Sequence, residues 1–142
     1  MIRILALMVW GLSAASLLES AARADEHPLA GTRWVLTKVQ GVAVPGGSWL
    51  SFEADRITGS SGCNRFWAPV DYLPPPGIDI GAPQSARIFC PGAMSIERAY
   101  LASLETVVNF RIDGVRLQMM LDDGDIFLEF ERDPGHRSGT SR

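Results

Sequence analysis

The residues most able to do chemistry in this sequence are its two cysteines. Cys63 stands in TGSSGCNRFWAPV (Thr58 to Val70), and Cys90 stands just before Pro91. A nucleophilic or redox cysteine needs its thiolate stabilised by a histidine, a helix N-terminus or a Cys-x-x-Cys partner. Of the two histidines, His27 lies just after an expected cleavage site and His136 in an expected tail, and no Cys-x-x-Cys occurs. Cys90 precedes a helical segment, and Arg65 and Arg87 add positive charge, so a thiol site stays open as a reading. Two cysteines and two terminal histidines lack the ligand spacing of a zinc site. The favoured reading is a Cys63–Cys90 disulfide, as expected of a pair of cysteines in an exported protein. Closing a loop of about 27 residues restricts the unfolded chain by roughly 3.5 kcal/mol in the entropic model.

Other combinations are weaker. Gly59-Ser60-Ser61-Gly62 is not the G-x-S-x-G elbow, and no Ser/His/Asp set falls on segments expected to be ordered. Asp122, Asp123 and Asp125 lack the spacing and distal glutamate of a calcium loop and read as a solvated turn. Glu53 with Asp55, or Glu129 with Glu131, would share a strand face but read as polar-face residues. Trp34, Trp49, Trp67 and Phe66 read first as core, while leaving an aromatic cleft open. No catalytic residue, metal ligand or cofactor site is assigned.

The N-terminus places the chain in a compartment. Arg3, an apolar run from Ile4 to Leu18 and Ala22-Arg23-Ala24 match a secretory signal peptide over residues 1–24. The apolar run is shorter than the roughly 20 residues of a membrane span. The mature chain is expected to begin at Asp25, as a single exported domain to residue 132 and a disordered tail over 133–142. The 142 residues carry a net charge of −3; removing Arg3, Glu19 and Arg23 leaves 11 basic against 15 acidic residues, or −4. With no basic patch interleaved with aromatics, nucleic acid is not expected as a partner.

The elements that would position these residues are mostly strands. Thr32–Val39, Trp49–Glu53, Arg56–Thr58, Phe66–Tyr72 and Ile78–Ile80 read as strands, and Arg87–Cys90 as a further candidate. Gly41–Ser48 reads as a loop, and Leu73-Pro-Pro-Pro-Gly77 as the hardest break in the chain. Gly59 and Gly62 read as bulge or corner residues, with Asn64 bridging exposed backbone. Apolar residues at Ile96, Tyr100, Leu101, Leu104 and Val108 predict a helix over Ala93–Val108, with Pro91 and Ser95 as start signals and Glu97 in the first turn. Asp113-Gly114 and Asp122–Asp125 are turns of a three-stranded antiparallel meander that ends near Glu131. The fold class is α+β, mostly β, with a strongly bent antiparallel sheet.

The order of motifs resembles the META domain family of HslJ-like heat-shock and envelope proteins. The resemblance rests on Leu29-x-Gly31-Thr-x-Trp34, Leu50-Ser-Phe-x-x-x-Arg56-Ile-x-Gly59, Gly62-Cys63-Asn64-Arg65-Phe66, Cys90-Pro91, Met94-x-x-Glu97-x-x-Tyr-Leu-x-x-Leu104 and Gly114-x-x-Leu117. It covers about residues 29–132 and implies an antiparallel sheet, half-barrel-like, curled around one helix, with no established enzymatic activity. Two departures affect loop shape: Trp67-Ala68 where the family usually has a glycine, and the long proline insert. What it implies of function is a non-enzymatic, soluble module of the periplasm or envelope, linked to stress, that binds a protein or peptide. Contacts would come from loops such as Val42–Ser48 and Leu73–Gly77. The alternative is a carrier holding a small apolar ligand in a sheet–helix cleft; a thiol enzyme comes third.

Overall fold

The computed structural model describes residues 27–136. The expected signal peptide and residues 137–142 of the expected tail lie outside the described residues. Period-two patterning builds a ten-stranded antiparallel sheet: β1 (Arg33–Val39), β2 (Val42–Ala43), β3 (Ser48–Phe52), β4 (Arg56–Ser61), β5 (Arg65–Asp71), β6 (Asp79–Ile80), β7 (Gln84–Ser85), β8 (Asn109–Asp113), β9 (Arg116–Met120) and β10 (Ile126–Arg132). The main path runs β6-β5-β4-β3-β1-β10-β9-β8, with β2 on β1 and β7 on β5. Between β7 and β8 lies the helix α1 (Met94–Thr106). The fold is α+β and mostly β, as read from the sequence.

The sheet curls because its ladders are interrupted where they must bend. In β1, Leu36 faces Phe130 and Lys38 faces Glu129, leaving Thr37 as the extra residue of a bulge. Its hydroxyl donates to the Glu129 carbonyl at 2.9 Å. A second irregularity in β10 leaves Phe127 extra against β9, and its carbonyl accepts the Gln40 N–H at 2.7 Å. Bulges raise local twist and bend the strand that carries them. The curl goes far enough for the two ends of the sheet to meet. Ile78 N–H donates to the Val108 carbonyl at 3.0 Å, and Phe110 N–H to the Pro76 carbonyl at 2.9 Å. The proline segment, expected to be a contact loop, is therefore tied to β8 across the seam.

The concave face buries α1. Tyr100 and Leu104 are fully buried among Trp34, Phe66 and Phe130, with the Tyr100 ring edge-on to Phe66 at 5.5 Å. Tyr100 Oη donates to the Trp49 carbonyl at 3.3 Å, and burial pushes its phenol pKa well above the usual value. Gly59 gives Phe66 its room: a Cβ there would stand 2.4 Å from the ring and 2.5 Å from the Trp49 carbonyl oxygen.

Several local expectations are corrected. Gly59 is no bulge, because β3, β4 and β5 stay in unbroken register across it. Gly62, at φ +91°, is the corner. The expected loop at Gly41–Ser48 contains β2, and its last residue opens β3. Arg87–Cys90 is irregular, because the Asn64 side chain takes up the backbone of Ile88 in place of a ladder. Neither Pro91 nor Ser95 caps α1; a turn through Gly92 leads in, and Ala93 occupies the N-cap without a side-chain bond. The helix stops at Thr106 because Val107 turns extended, freeing Val108 to pair across the seam. Among the described residues no helix is long and apolar enough to cross a membrane.

His27 makes the fold sensitive to acid. It is buried between the rings of Tyr72 (4.7 Å) and Phe110 (5.2 Å), and its Nδ1 accepts the Leu29 N–H. Burial lowers its pKa below 6.5, while the carbonyls of Gly77 and Leu73 pull more weakly the other way. The unfolded chain then takes up this proton first, so stability is complete above about pH 6.5 and falls as pH drops below it. Thermal melts between about pH 5.5 and 8 should show this loss, and His27→Phe should flatten it. An unchanged slope in the variant overturns the assignment.

Candidate functional site

The sequence-selected residues gather into a structural knot. Cys63 and Cys90 form a disulfide with Cα atoms 6.1 Å apart, which ties the β4–β5 corner to the segment before α1. Beside it Asn64, 1 % exposed, uses its whole amide. Oδ1 accepts the Ile88 N–H at 3.0 Å, and Nδ2 donates to the Ile88 carbonyl and to both Glu97 carboxyl oxygens, each at 3.0 Å. Glu97 is buried too and accepts a further bond from the Ser85 hydroxyl at 3.3 Å. Its position in the first turn of α1 was legible; its role as the anchor of Asn64 was not. A side chain mimics a strand here, so the strap 86–90 is held along β5 without a ladder of its own. Phe66 packs in the core, and Pro91 stands in the turn that follows Cys90.

Arg65 belongs to a different surface. On the outward side of β3, β4 and β5 lies an open groove of about 550 Å³, lined by Trp49, Arg56, Thr58, Arg65, Trp67, β7 and Ala86 at the start of the strap. Its geometry follows from strand register: Thr58 pairs with Trp67, and Ser60 pairs with both Trp49 and Arg65. The two tryptophans sit two strands and two residues apart, roughly 12 Å between their Cα positions at ordinary sheet spacing. Each carries arginine. Arg33 lies 3.7 Å and Arg65 4.9 Å from the Trp49 ring, and Arg56 lies 5.5 Å from that of Trp67. Such stacking orients a guanidinium while its N–H groups stay available.

A family profile for the META domain matches residues 27–134. The chain belongs to the META domain family. Solved structures repeat the fold. An NMR structure of a protein from Burkholderia xenovorans is 24 % identical with a TM-score of 0.60, over 94 % of this chain and 99 % of that one. A crystal structure of a DUF4847 family protein from Bacteroides vulgatus is 11 % identical with a TM-score of 0.56, over 77 % and 97 %. At these identities the likeness is one of fold. No curated protein matches the chain.

Within this META domain the aromatic residues do not converge as a single cleft. Trp34 points inward and is fully buried, with its Nε1–H donated to the Thr32 hydroxyl at 2.7 Å. Trp67 points outward and is 45 % exposed. The opposite faces of the two follow from strand parity, which was readable; that Trp49 and Trp67 share one groove needs β4 between them. The arginines stacked on these two rings, Arg33, Arg56 and Arg65, were missed as a set, because they come from three different strands.

Proposed function

We propose that this META domain is a non-enzymatic exported module of a bacterial envelope that binds a protein or peptide partner through the outward groove, in support of the envelope under stress. The observation that carries the reading is the exposed Trp67 with Trp49 near it on one sheet face, each ring bearing arginine. Aromatic and arginine side chains are the residue types that dominate binding energy at interfaces. A non-catalytic role is supported by the use already made of the reactive groups: both cysteines are in a disulfide, and Glu97 is bonded to Asn64. The disulfide suits an oxidising compartment. A small-ligand carrier would need room between sheet and helix, where Tyr100, Leu104, Phe66 and Phe130 pack.

Selection of displayed random peptides on the mature domain tests the reading. Selected sequences should bind the wild type and lose about tenfold or more on Trp67→Ala, since interface tryptophans often carry 2 kcal/mol or above. Failure to enrich any sequence, or equal binding by the variant, overturns it.

A further inference from the structure

We propose that the groove takes an extended peptide in which a carboxylate is flanked by large apolar side chains, with the carboxylate on Arg65; this rests on the binding role just given. The two ends of the groove differ in charge. At one end Arg56 is already paired with Asp55 at 3.3 Å, and Thr58 donates to Glu53 at 2.9 Å, so that end is compensated internally. At the other end Arg65 makes no ion pair among the described residues. Its guanidinium is held over Trp49 in a chain whose net charge is −3, so the positive end is a local feature set against the overall balance.

The strap, bonded to the backbone at that same end, continues the surface beyond the groove with exposed apolar residues. The strap that pairs with Arg65 through Ala86 N–H carries Ile88, 62 % exposed, and Phe89, 75 % exposed. The Asn64 amide and the disulfide fix the strap in place, so these side chains are presented on a rigid support. Trp67 supplies a third apolar element on the groove's outer wall. The sequence of features is apolar, cationic, apolar, and a partner that complements it is apolar, acidic, apolar. An extended peptide fits better than a sugar, since the Trp49 ring already carries the Arg33 and Arg65 guanidiniums, where a sugar would otherwise stack. An extended chain also repeats its side chains at the spacing of alternate residues on a sheet face.

The test uses three capped pentapeptides, each with one central residue between two leucines: glutamate, glutamine or lysine. Binding to the isotopically labelled mature domain is followed by the indole N–H signals of Trp49 and Trp67 and by the shift dependence on concentration. The glutamate peptide should bind about tenfold tighter than the glutamine one, the scale of a charge-assisted hydrogen bond. Arg65→Glu, an exposed substitution checked by its melting curve, should reverse the order in favour of lysine. Trp67→Ala should weaken all three. Equal binding of glutamate and glutamine peptides, with the tryptophan signals moving, overturns acidic recognition and leaves the binding role standing. If no selected or synthetic peptide moves those signals, both fall. If phosphatidylglycerol vesicles move them and peptides do not, the peptide proposal is overturned in favour of a lipid surface.

Discussion

Reducing the Cys63–Cys90 disulfide, or replacing both cysteines by alanine, is expected to lower folding stability by about 2–4 kcal/mol. The bridged positions are 27 residues apart, for which loop closure alone gives roughly 3.5 kcal/mol in the entropic model. That is a large part of the roughly 5–15 kcal/mol typical of a domain. The reduced chain should still fold, because Asn64 holds Ile88 by two bonds independent of sulfur. Denaturant melts of the oxidised, reduced and doubly substituted protein check this. The last two should agree with each other and fall below the first. A difference under about 1 kcal/mol would show that the unfolded chain gains little freedom when the bridge opens.

The second large effect belongs to Asn64. Asn64→Ala leaves the Ile88 N–H and carbonyl without their partner and leaves the buried Glu97 carboxyl with Ser85 alone. Unsatisfied buried polar groups cost about 1–3 kcal/mol each, and more when charged, so a loss of about 3 kcal/mol or more is expected. Asn64→Asp should be no better, although it is the closest match in shape: it keeps an acceptor for Ile88 but gives up the donations to the Ile88 carbonyl and to Glu97, and sets two carboxyl groups together. Replacing Asn64 and Glu97 together by apolar residues should recover part of the loss, because neither partner is then left unmatched. Chemical denaturation of the three variants decides it; an Asp variant as stable as the wild type would sink this account of the knot. Because Asn64 and the disulfide hold the same strap, their removals should be non-additive.

These two devices connect stability to the groove. The strap carries Phe89 and borders Arg65, so loosening it would disturb the apolar end of the surface before the core.

Much of the fold could be read from local pattern. Period-two alternation in β1, β3, β9 and β10 places alternate side chains on opposite faces whatever the strand pairs with. Asp113-Gly114 and the Asp122–Asp125 turn carry their own backbone instructions, and the helical stripe containing Tyr100 and Leu104 announces the face that must be covered. The cysteine pairing was legible as well, from the count of two and the export expected of the chain. Where local signals compete with tertiary pairing, element boundaries shift by a few residues. The end of α1 moved from Val108 to Thr106 because Val108 found a partner across the seam. Gly59 has the local signature of a bend, but it is a gap left for the Phe66 ring.

The longer strands, the hairpin turns, the helix that became α1 and the identity of the reactive residues all follow from local sequence. Which of those residues meet is set by the folded sheet as a whole. The Asn64–Glu97 bond spans 33 residues, the seam joins Pro76 to Phe110, and the groove draws Trp49, Arg56, Arg65 and Trp67 from three strands. Those meetings are set by register and by where bulges bend the sheet. Each depends on many distant contacts at once, so no short stretch of sequence encodes them.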